Sequence, residues 1–185
     1  MRTKTRHAAR FGFIAAFTFL LSLTCTAKRV PPLPYQGTFD PTPTRGGLGG
    51  RVIRVTNLNT SGPGSLRAAL NATDPRIVVF DVGGVIDMGQ TTLVIDHPFV
   101  TVAGQTAPSP GITLIRGGIM ITTHDVLIQH IRVRPGDAGE SRASPTSDQG
   151  HWEPDGISTA GPLAYNIIVD HCSITWAVDE NLSAS

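Results

Sequence analysis

The sequence has little cysteine, few aromatic residues and few charges. Only Cys25 and Cys172 occur among 185 residues, and aromatic residues make up 6%. Two cysteines are too few for a scaffold held together by disulfides. A charged share of 16%, beside 40% hydrophobic residues, argues against an intrinsically disordered chain. The chain does have 20 glycines and 14 prolines spread along its length, which favours many turns and argues against a helical bundle.

A hydrophobic run long enough to span a membrane is also missing. The apolar run from Phe11 to Leu23 is shorter than the roughly 20 residues that a spanning helix needs. Basic residues precede this run and the small residues Cys25-Thr26-Ala27 follow it, as in a secretory signal peptide. We therefore predict a signal peptide over 1–27, no stable membrane anchor, and an extracellular or periplasmic location. A lipoprotein attached through Cys25 fits the cleavage pattern less well.

Excess positive charge is absent from the remaining chain. Four of the 15 basic residues lie in the signal peptide, which leaves 11 basic residues against 14 acidic ones. Such a chain offers no basic surface for nucleic acid. Without Cys25, Cys172 has no intrachain disulfide partner, and its apolar surroundings predict a small buried residue rather than a nucleophile.

The rest of the sequence divides into a proline-rich leader, 28–45, and one domain, 46–185. The domain opens with the glycine cluster Gly46–Gly50, which lacks the spacing of a phosphate-binding loop. One short helix is predicted at Ser65–Leu70, with Ser65 as its N-cap. Short strands follow, separated by turn residues. The predicted strands are Arg51–Val55, Ile77–Phe80, Thr92–Ile95, Phe99–Val102, Ile112–Ile115, Ile119–Ile121, Val126–Ile128 and Asn166–Val169.

A repeat with a period in the mid-twenties decides the architecture. The segments 93–95 and 100–102 recur at 119–121 and 126–128, both displaced by the same interval. The segment 125–130 recurs at 166–171, which is one period plus a loop of about 15 residues that we place in the polar stretch 136–152. A coil made of short strands and tight turns cannot bury its apolar side chains alone, so coils must stack. The period predicts a parallel β-helix, in preference to a leucine-rich repeat, whose consensus is missing, or a sandwich.

The same repeat brings acidic residues together near the C-terminus. Asp155-Gly156-Ile157-Ser158 recurs one period later as Glu180-Asn181-Leu182-Ser183. In a β-helix these two segments would be the same strand on adjacent coils, about 4.8 Å apart, so Asp155 and Glu180 would be stacked carboxylates with Asp179 beside them. Carboxylates this close repel each other unless a cation lies between them, and Ca²⁺ accepts several oxygen ligands. The alternative is that these acids only cap turns at strand ends.

Several motifs also resemble a known family. The segments that carry the resemblance are Gly64–Leu70, Ile77–Asp81, Thr101–Pro108, Arg132–Asp137, Asp155–Ile157 and Ile168–Ser173. In this order they resemble the N-terminal half of the pectate lyases of polysaccharide lyase family 1, over roughly Gly46–Ser185. The most specific piece is Asp170-His171-Cys172-Ser173 after an apolar strand.

The resemblance implies an all-β fold, a right-handed parallel β-helix, whose N-terminal coils carry a short capping helix. It also implies calcium held by acidic residues, and cleavage of polygalacturonate by β-elimination. Calcium would acidify the C5 proton of the uronate, which a base then removes. Carried over by position, the calcium ligands are Asp155, Asp179 and Glu180. Family members often have another acid where this sequence has Ala184, so either Asp179 substitutes for it or a ligand is missing.

No residue of this sequence matches the arginine that serves as the family's base. We therefore expect a fragment of about four coils, inactive alone, with the base beyond Ser185. Arg132 and Arg134 precede the metal coil and are interpreted as turn and packing residues. His130 and His171 occupy matching places and are expected to form a stacked ladder or a satisfied hydrogen bond. Asp170 is expected to hold the adjacent turn through a hydrogen bond rather than to bind metal.

The tryptophans Trp152 and Trp176 leave two interpretations open, stacking on sugar rings or packing. The leading functional hypothesis is a calcium-dependent lyase acting on an acidic polysaccharide, monomeric at full length. A non-catalytic β-helix that binds polysaccharide or acts as an adhesin is the alternative. A metal-independent glycoside hydrolase with two catalytic carboxylates is the third.

Overall fold

In a computed structural model, the structure describes residues 44–138 and 153–185. The predicted signal peptide, most of the leader, Trp152 and most of the polar loop lie outside these residues. The described part contains thirteen short strands, one α-helix, α1, at Leu66–Leu70, and a 3-10 helical turn at Gly104–Thr106. Its strands are β1 Arg51–Val55, β2 Arg76–Phe80, β3 Gly84–Asp87, β4 Leu93–Ile95, β5 Val100–Ala103, β6 Ile112–Ile115, β7 Ile119–Ile121, β8 Val126–Gln129, β9 Ile131–Arg134, β10 Ile157–Thr159, β11 Ile167–Asp170, β12 Ser173–Ile174 and β13 Leu182–Ala184. In these two ranges no helix is long and apolar enough to cross a membrane.

The strands form three sheets in which neighbouring strands run parallel. Sheet A has the order β1-β2-β5-β8-β11, sheet B the order β12-β9-β6-β3, and sheet C the order β13-β10-β7-β4. From β4 onward the chain visits sheets C, A and B in turn, so each circuit is one coil, and the coils stack about 4.8 Å apart. The predicted parallel β-helix is confirmed.

The predicted register is confirmed as well. Leu93 pairs with Ile119 and Val100 with Val126, which are the partners that the repeat assigns to each other. Ile167 pairs with Val126 across the longer coil, and Ile157 pairs with Leu182 one period later. The extra length of the long coil lies between the end of β9 and the start of β10.

The interior of the coils is filled by aliphatic side chains that alternate with outward-facing residues. In sheet C, Ile95 and Ile121 are fully buried on neighbouring strands, and in sheet A Val100 and Val126 form an equivalent pair. Each buried side chain of this size stabilises the fold by about 1.5–3 kcal/mol relative to exposure. The stacked ladders therefore fix which face of each strand points inward.

The helix α1 packs against the core. Leu66, Ala69 and Leu70 are buried, and the Ser65 side chain accepts a hydrogen bond from the Ala68 amide at 3.2 Å, as predicted for an N-cap. Fully buried Arg76 donates to the Leu70 carbonyl at 2.6 Å. This guanidinium satisfies a carbonyl at the end of the helix that has no intrahelical partner.

The interpretation of Arg132 and Arg134 as turn residues is wrong, because both lie on β9. Strands β3 and β12 of the same sheet were also not predicted. The reason is the irregular spacing of sheet B, where the sequence separation between paired residues changes from coil to coil. Its successive pairs, Val85 with Thr113, Thr113 with Arg132, and Arg132 with Ser173, are unequally spaced along the chain. Turns of changing length hide the repeat on this face of the coil.

Candidate metal site

The three predicted acidic residues come together beside sheet C. One carboxylate oxygen from each of Asp155, Asp179 and Glu180 lies within 4.8 Å of the others. Asp155 and Glu180 lie in the turns just before β10 and β13 rather than on the strands, because each strand begins two residues later. The sequence therefore predicted the juxtaposition correctly and placed the strand starts two residues too early.

Close backbone packing holds Asp155 in place. A Cβ atom added to Gly118 would lie 1.9 Å from the Asp155 carbonyl oxygen, and one added to Gly156 would lie 2.4 Å from the Asn181 carbonyl oxygen. The Gly156 amide donates to the Glu180 carbonyl at 2.8 Å. Only glycine permits this approach, so successive coils are stacked tightly at the level of the acidic residues.

The turn between β12 and β13, residues 175–181, carries the other two acids. The sequence analysis assigned no role in this turn to Asn181, although asparagine commonly closes turns. The Asn181 side-chain oxygen accepts a hydrogen bond from the Ala177 amide at 3.2 Å. The Val178 amide donates to the Pro154 carbonyl at 3.3 Å, which ties this turn to the coil before it. The Glu180 amide donates to Asp155 Oδ1 at 3.3 Å, so Asp155 and the turn are joined directly.

The carboxylates repel one another. The charge of Asp179 is the main cause that raises the pKa of Glu180 above its usual 4.5, with a further contribution from Asp155. Within 44–138 and 153–185, no basic side chain forms an ion pair with any of the three acids. The structure thus concentrates negative charge at one place and supplies no positive side chain from the described residues to compensate it.

The donor set fits a hard divalent cation. Three carboxylates offer up to six oxygen atoms and no nitrogen or sulfur. Ca²⁺ accepts six to eight oxygens at flexible geometry, whereas Mg²⁺ demands near-ideal octahedral geometry. Both Asp179 and Glu180 are exposed, so water or a ligand oxygen can complete the coordination. Ala184, where a fourth acid was considered, lies on β13 and offers no carboxylate.

The other predicted residues do not belong to the group of three acids. His130 and His171 stack with ring centroids 5.0 Å apart, as expected for a ladder. Asp170 accepts from the Gln129 amide at 2.9 Å and contacts His171 Nδ1 at 2.6 Å, which confirms its hydrogen-bonding role. Cys172 is half-buried against the core, and burial raises its thiol pKa, so it resembles a packing residue more than a nucleophile.

The two arginines of β9 are engaged in local contacts. Arg132 donates to Thr113 Oγ1 at 2.8 Å, and Arg134 donates to Ser173 Oγ at 2.7 Å. The Arg134 guanidinium also lies 5.9 Å from the ring centre of Trp176, within the range of a cation–π contact. The packing role expected for both arginines is therefore confirmed, on a strand instead of a turn.

The fold and the site together define a class of protein. It is a parallel β-helix that carries a cluster of three carboxylates in the turns just before two neighbouring strands of sheet C. The comparisons with known proteins narrow that class. The chain is 44% identical over 141 residues to a probable pectate lyase C of Emericella nidulans, a match that covers 76% of this chain and 30% of the relative. It is 42% identical over 141 residues to a probable pectate lyase C of Aspergillus terreus, with the same coverage. A third relative, from Neosartorya fischeri, is 42% identical over 140 residues.

The resemblance to pectate lyases predicted from the motifs is therefore confirmed. The chain spans about 30% of the length of the curated relatives that it matches. No family model matches the chain.

Proposed function

We propose that this chain belongs to a calcium-dependent pectate lyase that cleaves polygalacturonate by β-elimination, and that it supplies the calcium site. The observation that supports the proposal is the convergence of Asp155, Asp179 and Glu180 within 4.8 Å, without a basic partner among the described residues. The pectate lyase relatives give the substrate class, an acidic polysaccharide. The predicted signal peptide over 1–27 supports a secreted protein.

The chemistry assigned to the site is electrostatic. A calcium ion held by these carboxylates would supply the positive charge that acidifies the uronate. In this chain, Asp155 and Glu180 would hold the ion from adjacent coils, and Asp179 would add the third carboxylate. The tight packing at Gly118 and Gly156 keeps the ligands in register before the ion binds.

No residue of this chain matches the arginine that acts as the base in the family, so binding tests the described site more directly than turnover does. We would titrate the full chain with calcium by calorimetry and compare Asp155→Asn and Glu180→Gln with the wild type. One ion per chain is expected, with a loss of affinity of at least about tenfold in each variant, because charged ligands set calcium affinity. Asp96→Asn is the matched control, an exposed aspartate on another turn, and should bind calcium like the wild type.

The substrate is tested by retention of polygalacturonate on the immobilised chain. Retention in calcium that is lost in a chelator, and reduced in Asp155→Asn, supports the proposal. Retention that does not change with calcium or with either variant contradicts it. It would favour instead the alternative of a polysaccharide-binding β-helix without a metal.

A further inference from the structure

The side chain of Asn181 closes the turn that carries two of the three acids. Its Oδ1 accepts a hydrogen bond from the Ala177 amide at 3.2 Å, four residues earlier in the chain. Only residues 178–180 lie between the two bonded residues, so Asp179 and Glu180 are both inside the closed segment. The separation between the two ends of this segment is therefore set by one amide side chain.

The C-terminal end of the segment is held firmly by the coil before it. The Gly156 amide donates to the Glu180 carbonyl at 2.8 Å, and the Ile157 amide donates to the Asn181 carbonyl at 3.0 Å. A Cβ atom added to Gly156 would lie 2.4 Å from the Asn181 carbonyl oxygen, so the two backbones are in close contact. The Asn181 side chain thus projects from a backbone that is fixed on the coil of Asp155.

The N-terminal end of the segment is held less closely. Its backbone link to the coil before it is the hydrogen bond from the Val178 amide to the Pro154 carbonyl, at 3.3 Å. The bond between Ala177 and Asn181 ties this end to the firmly held one. Asp179 follows Val178 directly, so its position depends on that tie more than the position of Glu180 does.

We propose that Asn181 is a positioning residue for the calcium site, which holds Asp179 beside Asp155 and Glu180 by closing the turn. It acts through the turn and need not contact the ion. An amide oxygen suits this place because it accepts the hydrogen bond without adding a fourth negative charge to acids that already repel. Holding the ligands in place beforehand lowers the cost of ordering them when the ion binds. The inference rests on the proposed function for the identity of the ion.

A double-mutant cycle tests whether Asn181 acts through Asp179. We would measure the calcium affinity of the full chain by calorimetry for the wild type, Asn181→Ala, Asp179→Asn and the double variant. Asn181→Ala should lose about as much affinity as Asp179→Asn, about tenfold, because either change removes one charged ligand from the ion. The double variant should bind no more weakly than Asp179→Asn alone, whereas independent effects would multiply.

Two further variants separate positioning from a general loss of structure. Asn181→Asp keeps an acceptor oxygen at the same place and should bind calcium at least as tightly as the wild type. Asn181→Gln displaces that oxygen by one methylene group and should bind as weakly as Asn181→Ala. Melting temperatures in a chelator show whether each variant is folded without calcium.

The matched control is Asn57→Ala, in the loop between β1 and α1. Asn57 also closes a turn through its side-chain oxygen, which accepts from the Asn59 amide at 3.2 Å. This variant loses the same kind of hydrogen bond outside the turn of the acids, so its calcium affinity should equal that of the wild type.

The outcomes separate this inference from the calcium proposal. If the wild type binds calcium and Asn181→Ala binds it equally tightly, the positioning role is wrong and the metal site stands. Effects of Asn181→Ala and Asp179→Asn that multiply, or an Asn181→Asp variant as weak as Asn181→Ala, also overturn it. If the wild-type chain binds no calcium, the proposed function loses its metal site and the positioning role fails with it.

Discussion

At the scale of single residues, like charge is concentrated where the coils meet. Asp155, Asp179 and Glu180 are three acids whose ionised forms repel one another, and the raised pKa of Glu180 reports that repulsion. A group of like charges destabilises the fold until a counter-ion binds, after which the same charges become ligands. The sign of the effect of removing one acid therefore depends on calcium.

The substitution Asp179→Asn tests whether removal of one acid raises or lowers the stability of the fold in each condition. Without calcium, the variant should melt at the same temperature as the wild type or higher, because it removes one repelling charge. In saturating calcium it should melt lower than the wild type, because a ligand is lost. Thermal melts of both proteins in calcium and in a chelator measure the effect. A variant that is less stable by the same amount in both conditions would show that Asp179 acts only through the turn.

Asp87 shows the opposite electrostatic situation. Its carboxylate accepts from Arg116 at 2.7 and 2.8 Å, and this hydrogen bond is the main cause that lowers the pKa of Asp87 below 3.8. A carboxylate with a lowered folded-state pKa stabilises the fold above its unfolded pKa, and the stabilisation is lost as the pH falls through the folded value. The pair is exposed, so screening by solvent keeps its contribution small.

Asp87→Asn should therefore cost less than about 1 kcal/mol of unfolding free energy at pH 7. Since the wild-type carboxylate becomes protonated in acid, the difference between the proteins should shrink as the pH falls below 3.8. Urea unfolding of both proteins across this range measures it. A difference that stays constant with pH would mean that the Asp87 charge is not involved.

At the scale of elements, the contact between successive turns decides where the acids lie. Gly118 precedes β7, and the turn before β10 rests against it, so the position of Asp155 depends on a residue one coil away. A side chain at this position has to displace backbone, which cannot rotate aside as a flexible side chain can.

Gly118→Ala should lower the unfolding free energy by about 1–3 kcal/mol and weaken calcium binding, because the added Cβ displaces the Asp155 carbonyl. The control is Gly161→Ala, whose Cβ would meet nothing within 4 Å and whose φ is +84. That variant costs about 1–2 kcal/mol through its left-handed backbone alone and should leave the calcium affinity unchanged. Equal calcium affinities in the two variants would show that Gly118 does not position Asp155.

The sequence predicted the elements of sheets A and C better than those of sheet B, for a physical reason. Where turns keep a constant length, apolar residues recur at a fixed spacing, as at Leu93 and Ile119. In sheet B the turns change length from coil to coil, so Arg132 and Arg134 could not be recognised as strand residues from the period.

At the scale of the whole molecule, the coil period places residues that are one period apart in the sequence next to each other on adjacent coils. A shift of one period places Ile157 beside Leu182, and the positions of Asp155 and Glu180, just before these residues, follow from that register. A solenoid builds its sites from residues of neighbouring coils, so the stacking that buries Ile121 and Ile157 also aligns the ligands. The pairing of Asp155 with Glu180 could be predicted from sequence because it follows from the period of the coils.

A crystal structure of the chain grown in calcium is the most direct test of this account. We predict one ion bound by Asp155 and Glu180, with Asp179 as the third acidic ligand, at oxygen distances of about 2.3–2.6 Å. The β10 and β13 registers should be unchanged on binding. Carboxylates that remain apart from any ion at saturating calcium, or an ion bound elsewhere on the chain, would contradict the account.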